Sequence, residues 1–344
     1  IGFTPKRAKH DGLLPAPGDG SFDWIGLLDV GELPNIYNPK EGWLASANQM
    51  NLPPDYPYKE RQISFSSWAD SFRWDRIAEV LRSQPRHSLQ DSIALQHDVH
   101  SLPARALVNL LPVTPSPEAS SATSLLSLWD CEIEADSAAA LLYEMVMPEL
   151  SSAFRELVIP PMALNLIKSV NLSEMLRLLA APDVRLGNNP TAARDVLVNK
   201  ALAAGWNKAV QLCGPDPSQW RWGDLHQVSI SHLLSDFPAI AAAFPKIDGG
   251  RSGGDYTTVM MRGHEPARNW NVTIGASFLM VIDVGAWDST RVLLLPGQSA
   301  DPRSPHYRDF YSVWLSGTMQ PLRFSRAAVD ESAVARTLLT PLSG

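Results

Sequence analysis

Trp270-Asn271-Val272-Thr273-Ile274, Ser277-Phe278-Leu279-Met280-Val281-Ile282-Asp283-Val284 and Arg291-Val292-Leu293-Leu294-Leu295 carry the reading on which the fold class turns. Each run is β-branched or alternates apolar with polar residues, and Gly, Pro and Asp separate the runs, the pattern of short strands between turns. Thr257–Arg262 has the same character and is predicted as a further strand. Upstream of Pro217 the pattern becomes helical. Arg73–Gln84 places Ile77, Val80 and Leu81 at helical spacing. Ser88-Leu89-Gln90-Asp91 reads as a capping signal that opens a helix to about Val99. Ala135–Leu157 is helical in composition, with a break expected near Pro148. Further helices are predicted at Ser173–Ala180 and Thr191–Cys213, the latter opened by Asn189-Pro190 and closed by Gly214-Pro215. The front of the chain, to about Asp55, is loop-rich, with one strand predicted over Gly42-Trp43-Leu44-Ala45-Ser46-Ala47-Asn48-Gln49. Strand-forming segments on both sides of a helical block predict an α+β fold. About 1–60 and 217–325 contribute to the sheet and about 73–213 form a largely helical insertion.

Of the 344 residues, 45% are apolar and 19% charged, with 28 Pro, which is too apolar for a disordered chain and too Pro-broken for a coiled coil. The net charge of −7 argues against a nucleic-acid-binding face. No stretch approaches the roughly 18–20 apolar residues of a membrane span. Cys131 and Cys213 are too few for a disulfide framework; one bridge between them is open, and two free buried thiols are the favoured expectation. Ile1-Gly2-Phe3-Thr4-Pro5 shows neither a signal-peptide pattern nor an initiator Met, so the chain is expected to be a processed product or a fragment.

Gly250-Arg251-Ser252-Gly253-Gly254 matches the G-x-S-x-G form of a nucleophile elbow, with Asp283 or Asp288 and then His306 following in hydrolase order. An elbow needs a helix after its Ser. Tyr256-Thr257-Thr258-Val259 reads as strand instead, so a Gly-rich loop is the favoured reading. His97 and His100 at i,i+3 lack a third metal ligand at a familiar spacing, and a His at a helix C-terminus accounts for them better. In Trp220-Arg221-Trp222-Gly223-Asp224-Leu225-His226 the rings are expected to pack and His226 to bond a backbone group. Phe72-Arg73-Trp74-Asp75-Arg76 reads as a surface ion-pair cluster, and Asn48 as a strand-end residue bonding its own turn. Composition and spacing alone leave the activity open.

Several strings then align in order along nearly the whole chain. They begin with Asp11-Gly12-Leu13-Leu14-Pro15-Ala16-Pro17-Gly18-Asp19-Gly20, Phe22-Asp23-Trp24-Ile25-Gly26 and Glu32-Leu33-Pro34. Tyr37-Asn38-Pro39 runs into Gly42–Gln49, followed by Tyr56-Pro57-Tyr58, Arg73 with Arg76-Ile77, Gln96-His97-Asp98-Val99 and Leu128-Trp129-Asp130. Trp220-Arg221-Trp222-Gly223, Gly297-Gln298-Ser299 and Ser304-Pro305-His306-Tyr307 with Trp314 and Gly317 complete the set. Together they resemble the penicillin acylase (penicillin amidase) family of N-terminal nucleophile hydrolases, which includes acyl-homoserine-lactone acylases.

That resemblance implies an αββα sandwich and a precursor cut autocatalytically into an α chain and a β chain whose first residue is the nucleophile. Such a nucleophile must be Ser, Thr or Cys, with the free α-amine as base. Residue 1 is Ile, so the chain resembles the C-terminal portion of the β chain, and the nucleophile is not in this chain. Its partners would be the α chain and the N-terminal part of the β chain, acting on a small-molecule N-acyl amide. By position Asn48 matches the family's oxyanion-hole Asn, and Arg73, rather than Arg76, matches an Arg that orients the site. Glu60, with the Pro15 carbonyl, stands near the positions of a structural Ca²⁺ site, for which oxygen ligands are suited; no cofactor is otherwise required. A periplasmic location also follows from the resemblance. Cys131 and Leu279 depart from the family's common Gly and Arg. The implied activity is cleavage of N-acyl homoserine lactones or β-lactam side-chain amides. A self-contained serine esterase using Ser252 and a non-catalytic structural module are the alternatives.

Overall fold

The computed structural model describes residues 4–7, 14–53, 55–56, 68–265 and 269–341. Its helical half comprises α1 (Phe72–Ser83), α2 (Leu89–Gln96), α3 (Leu102–Asn109), α4 (Ser120–Ser127), α5 (Ala138–Val158), α6 (Leu172–Ala180) and α7 (Pro190–Cys213). The second half interleaves α8 (Trp222–Leu225), β1 (Gln227–Ile230), α9 (Pro238–Ala243), β2 (Ile247–Arg251), β3 (Arg262–His264), β4 (Val272–Gly275), β5 (Phe278–Val281) and β6 (Arg291–Leu294). It closes with α10 (Tyr311–Leu315), β7 (Gln320–Pro321) and α11 (Arg326–Ser332). The strands form two sheets, ordered β2-β1-β4-β3 and β5-β6-β7, so the α+β class holds. Among the described residues no helix is long and apolar enough to cross a membrane.

Local chemistry explains where the helices start and stop. Ser88 accepts from the Asp91 N–H while the Asp91 carboxylate takes the Ser88 N–H, a reciprocal capping box that opens α2. Asn189 accepts from the Ala192 N–H at the start of α7, and Gly214, at φ 86°, ends it. Helices α5 and α7 bury Leu141, Leu142, Met145, Leu150 and Leu202 between them and their neighbours. Pro148, where a break was expected, lies inside an unbroken α5. A Pro there forfeits a backbone hydrogen bond and costs about 3 kcal/mol. Burying Met145, Val146 and Leu150 around it returns roughly 1.5–3 kcal/mol each, so packing wins.

Two predicted strands are not strands. Gly42–Gln49 is irregular: its Ala45 carbonyl accepts from Trp74 Nε1 at 3.1 Å, and Asn48 sits at φ 68°, outside extended backbone. Among the described residues of 4–53 the ladder pairing is confined to one bridge, Pro5 to Leu27. Thr257–Met261 is also turned rather than extended. The Asp255 carboxylate accepts the Thr257 and Thr258 N–H groups at 2.6 and 2.9 Å, and this side-chain turn displaces the ladder until Arg262. Conversely β1 and β2 carry no sequence prediction; Val228 and Ile247 anchor them in the core.

A buried polar layer lies beneath the 255–261 turn. Glu144 of α5 meets His264 Nε2 at 3.3 Å, both side chains being 9% exposed. Burial pulls the His264 pKa down, but the charge and hydrogen bond of Glu144 bring it out above its ordinary value. His226 is stacked on Trp222 at 4.6 Å, and its Nδ1 bonds the Trp270 carbonyl at 2.9 Å, the backbone bond expected of it. Burial pushes His226 down to about 3, so this ring stays neutral. Burial and then the nearby Glu144 charge push Asp255 up to about 7, against the opposing pull of the Thr257 and Thr258 donors.

Two measurements check these contacts. A Cβ at Gly205 would collide with Val146 Cγ2 and lie 2.8 Å from Val146 Cα. Gly205→Ala is therefore expected to destabilise the fold by about 1–3 kcal/mol, read as a lower urea midpoint; an unchanged midpoint contradicts so close an α5–α7 approach. Asp255, ordinarily near 3.8, keeps its proton in the fold up to about pH 7, so its contribution to stability declines as pH rises through that interval. Asp255→Asn keeps the acceptor and removes the titration. The variant should gain on the wild type between those limits, reaching on the order of 2–4 kcal/mol above neutral pH. Parallel stability–pH curves would contradict the burial of that charge.

Candidate active site

Ala47-Asn48-Gln49 is a clamped turn. Gln49 is 7% exposed and its Oε1 folds back to accept the Ala47 N–H at 2.8 Å, while the Asn48 carbonyl accepts the Ala69 N–H at 3.2 Å. Between those clamps Asn48 takes the left-handed conformation, φ 68°, which Asn tolerates better than most residues. The turn leaves the Asn48 side chain exposed.

Helix α1 supplies its partner. Arg73 Nη2 donates to Asn48 Oδ1 at 2.9 Å. A guanidinium has donors and no acceptor, so the carboxamide must present its oxygen to Arg73 and its N–H₂ away from it. Among the described residues that N–H₂ has no hydrogen-bond partner. Burial lowers the Arg73 pKa, and among the described residues no carboxylate pairs with it. The side chain therefore remains a half-buried cation whose charge falls on the amide oxygen, which polarises the amide and strengthens its N–H donors.

The expected ion-pair cluster separates into two roles. Arg76, one turn after Arg73, makes a forked pair with Asp98, Nη2 to Oδ2 at 2.7 Å and Nε to Oδ1 at 3.1 Å, and reaches Glu79 at 3.6 Å. Asp98 also accepts the His100 N–H at 3.1 Å, and its carbonyl accepts the Met260 N–H at 2.9 Å. This tie fixes α1 against the 255–261 turn. Twenty-two residues separate Arg76 from Asp98, and no spacing rule pairs them; the Gln49 clamp was equally unsignalled. Cavities flank the pair. One of about 260 Å³ is lined by Phe72, Arg73, Leu172, Tyr256, Thr257 and Met261. A larger cleft of about 540 Å³ opens beside Gln49, Met50, Asp70 and Asn171.

The other candidates lie apart. Ser252 follows β2, but no helix follows it; the residue is 4% exposed and its Oγ donates to the Gly253 carbonyl at 2.9 Å. His306 instead pairs with Asp309 at 2.8 Å, and Asp288 accepts the Phe324 and Ser325 N–H groups, so no triad assembles on Ser252 and the self-contained esterase reading fails. His97 caps α2 with Nδ1 on the Ile93 carbonyl at 2.9 Å, whereas His100 Nδ1 faces Glu132 at 2.9 Å. Among the described residues no group of three His, Cys, Asp or Glu side chains is placed to hold a metal. Glu60 lies outside the described residues, and Pro15 is exposed. Both cysteines are free; Cys131 is buried as expected, whereas Cys213, the last residue of α7, is only half-buried.

The profile of a family described as penicillin amidase matches residues 1–331. The chain is 27% identical over 374 residues to the acyl-homoserine lactone acylase QuiP of Pseudomonas syringae pv. tomato, covering 99% of this chain and 44% of that protein. It is 27% identical over 355 residues to the penicillin acylase 2 proenzyme of Pseudomonas sp. strain SE83, covering 98% of this chain and again 44% of the relative. Among solved structures, a thermostable penicillin G acylase from Alcaligenes faecalis shares the fold with a TM-score of 0.65 at 18% identity, over 99% of this chain and 65% of that one. The chain thus spans less than half the length of these curated relatives. It belongs to the penicillin amidase family.

Proposed function

We propose that this chain is the C-terminal portion of the β chain of an amide hydrolase that cleaves N-acyl bonds through an acyl-enzyme. The observation that carries the proposal is the Arg73–Asn48 hydrogen bond, which leaves an oriented, exposed carboxamide N–H₂ beside a cleft. The nucleophile is an N-terminal Ser on a segment outside this chain, with its own α-amine as base. Its Oγ attacks the acyl carbon, the α-amine takes the Ser proton, and the carbonyl oxygen becomes an alkoxide that Asn48 Nδ2 stabilises by donation. The C–N bond then breaks, the leaving amine takes the proton, and water releases the acid from the acyl-enzyme by the reverse proton route. Arg73 touches no reacting atom in this scheme; it is a positioning residue that acts through Asn48.

The names of the relatives support N-acyl homoserine lactones and β-lactam side-chain amides as the substrate classes. The α chain and the N-terminal part of the β chain complete the enzyme, in keeping with a relative that is named as a proenzyme. Family resemblance supports a periplasmic location and a structural calcium held by Glu60 and the Pro15 carbonyl. The chemistry itself runs on side chains and a terminal amine and needs no organic cofactor.

In the assembled enzyme, Asn48→Ala should lower kcat about 10²–10³-fold on either substrate class with little change in KM, since the lost bond forms only with the developing alkoxide. Near-normal kcat would refute the assignment.

A further inference from the structure

Arg262, at the start of β3, is 3% exposed, and among the described residues no carboxylate pairs with it. Its guanidinium lies over the Trp314 ring, 3.3 Å from the centroid, and Nη1 donates to Ser252 Oγ at 3.1 Å. Burial drives the Arg262 pKa down to about 9. A guanidinium nonetheless stays protonated at neutral pH, so the desolvated charge cannot be relieved by losing a proton. The remaining relief is an anion.

A cavity of about 390 Å³ adjoins this charge, bounded by α2, the Ser252–Gly253 loop and the end of α10. Arg251, the other cation on its wall, is already neutralised by Asp136 at 2.8 Å and Asp224 at 3.0 Å. Glu134, the acid on the wall, is exposed at the rim. One buried positive charge is thus left without a counter-ion among the described residues. His97 Nε2, also on this wall, is buried without a hydrogen-bond partner among the described residues. Ile93, Val99, Met260 and Leu315 supply apolar lining, and Gln90 and Ser316 add uncharged polar groups.

We infer that this cavity binds a small monocarboxylate with an apolar body, its carboxylate on the Arg262 guanidinium, which Ser252 Oγ steadies by accepting from Nη1, and its tail against Ile93, Val99, Met260 and Leu315. One uncompensated cation selects a monoanion, a guanidinium suits the fork of a carboxylate, and the volume falls in the usual range of small-molecule sites. The site is separate from Asn48 and does not depend on the hydrolase proposal.

Titration of the whole assembled protein with hexanoate by calorimetry tests it. The expected result is saturable binding that weakens at least about tenfold in Arg262→Met and in Ala94→Trp, and that persists in Asn48→Ala. Ala94 is exposed on α2 at the cavity, so its replacement fills the mouth without disturbing the core. The inference is overturned if hexanoate does not bind, if inorganic phosphate displaces it equally well, or if binding is lost in Asn48→Ala and kept in Ala94→Trp. It is also overturned if a crystal structure of the whole protein shows an Asp or Glu of its own polypeptide paired with Arg262.

Discussion

The hydrogen bond from Arg73 to the Asn48 side-chain oxygen is the interaction on which the proposed site depends. An exposed carboxamide rotates freely and offers oxygen or nitrogen to a cleft with similar ease. A guanidinium beside it removes that ambiguity, because it bonds only the oxygen. The backbone makes a matching investment: Asn48 is held in a left-handed conformation between the Gln49 and Ala69 clamps. Such strained turns persist where surrounding contacts over-determine them.

Those contacts extend inward. Arg73 reaches Asn48 because α1 is anchored one turn later by the Arg76–Asp98 fork, and Asp98 in turn holds the backbone of Met260. The turn that ends there is shaped by Asp255 and rests on the Glu144–His264 layer supported by α5. A surface amide is thus connected through one helix and one turn to the buried Glu144–His264 pair. The polar layer is high in electrostatic consequence because its groups have left water.

Much of this was legible in the residues, and the failures have physical causes. Helices α2 and α7 were readable because Ser88, Asp91, Asn189 and Gly214 are local caps whose partners lie within four residues. Strands β5 and β6 were readable from β-branched and apolar runs. Pro148 misled because a local breaker was outweighed by long-range packing against α7. Gly42–Gln49 and Thr257–Met261 misled because side chains, Trp74 and Asp255, captured backbone groups that a strand would have used. At the site, Asn48 and Arg73 emerged only through family resemblance. Periodicity could not join two residues 25 positions apart, nor tell Arg73, which bonds an amide, from Arg76, which binds a carboxylate.

The most direct test of the central claim is a double-mutant cycle on kcat of the assembled enzyme with Asn48→Ala, Arg73→Met and both together. If Arg73 acts by aiming the Asn48 amide, its removal is costly with Asn48 present and nearly silent once Asn48 is gone, so the double variant matches Asn48→Ala. Losses that add to within about 0.5 kcal/mol would show that the two side chains work independently, and would contradict the account.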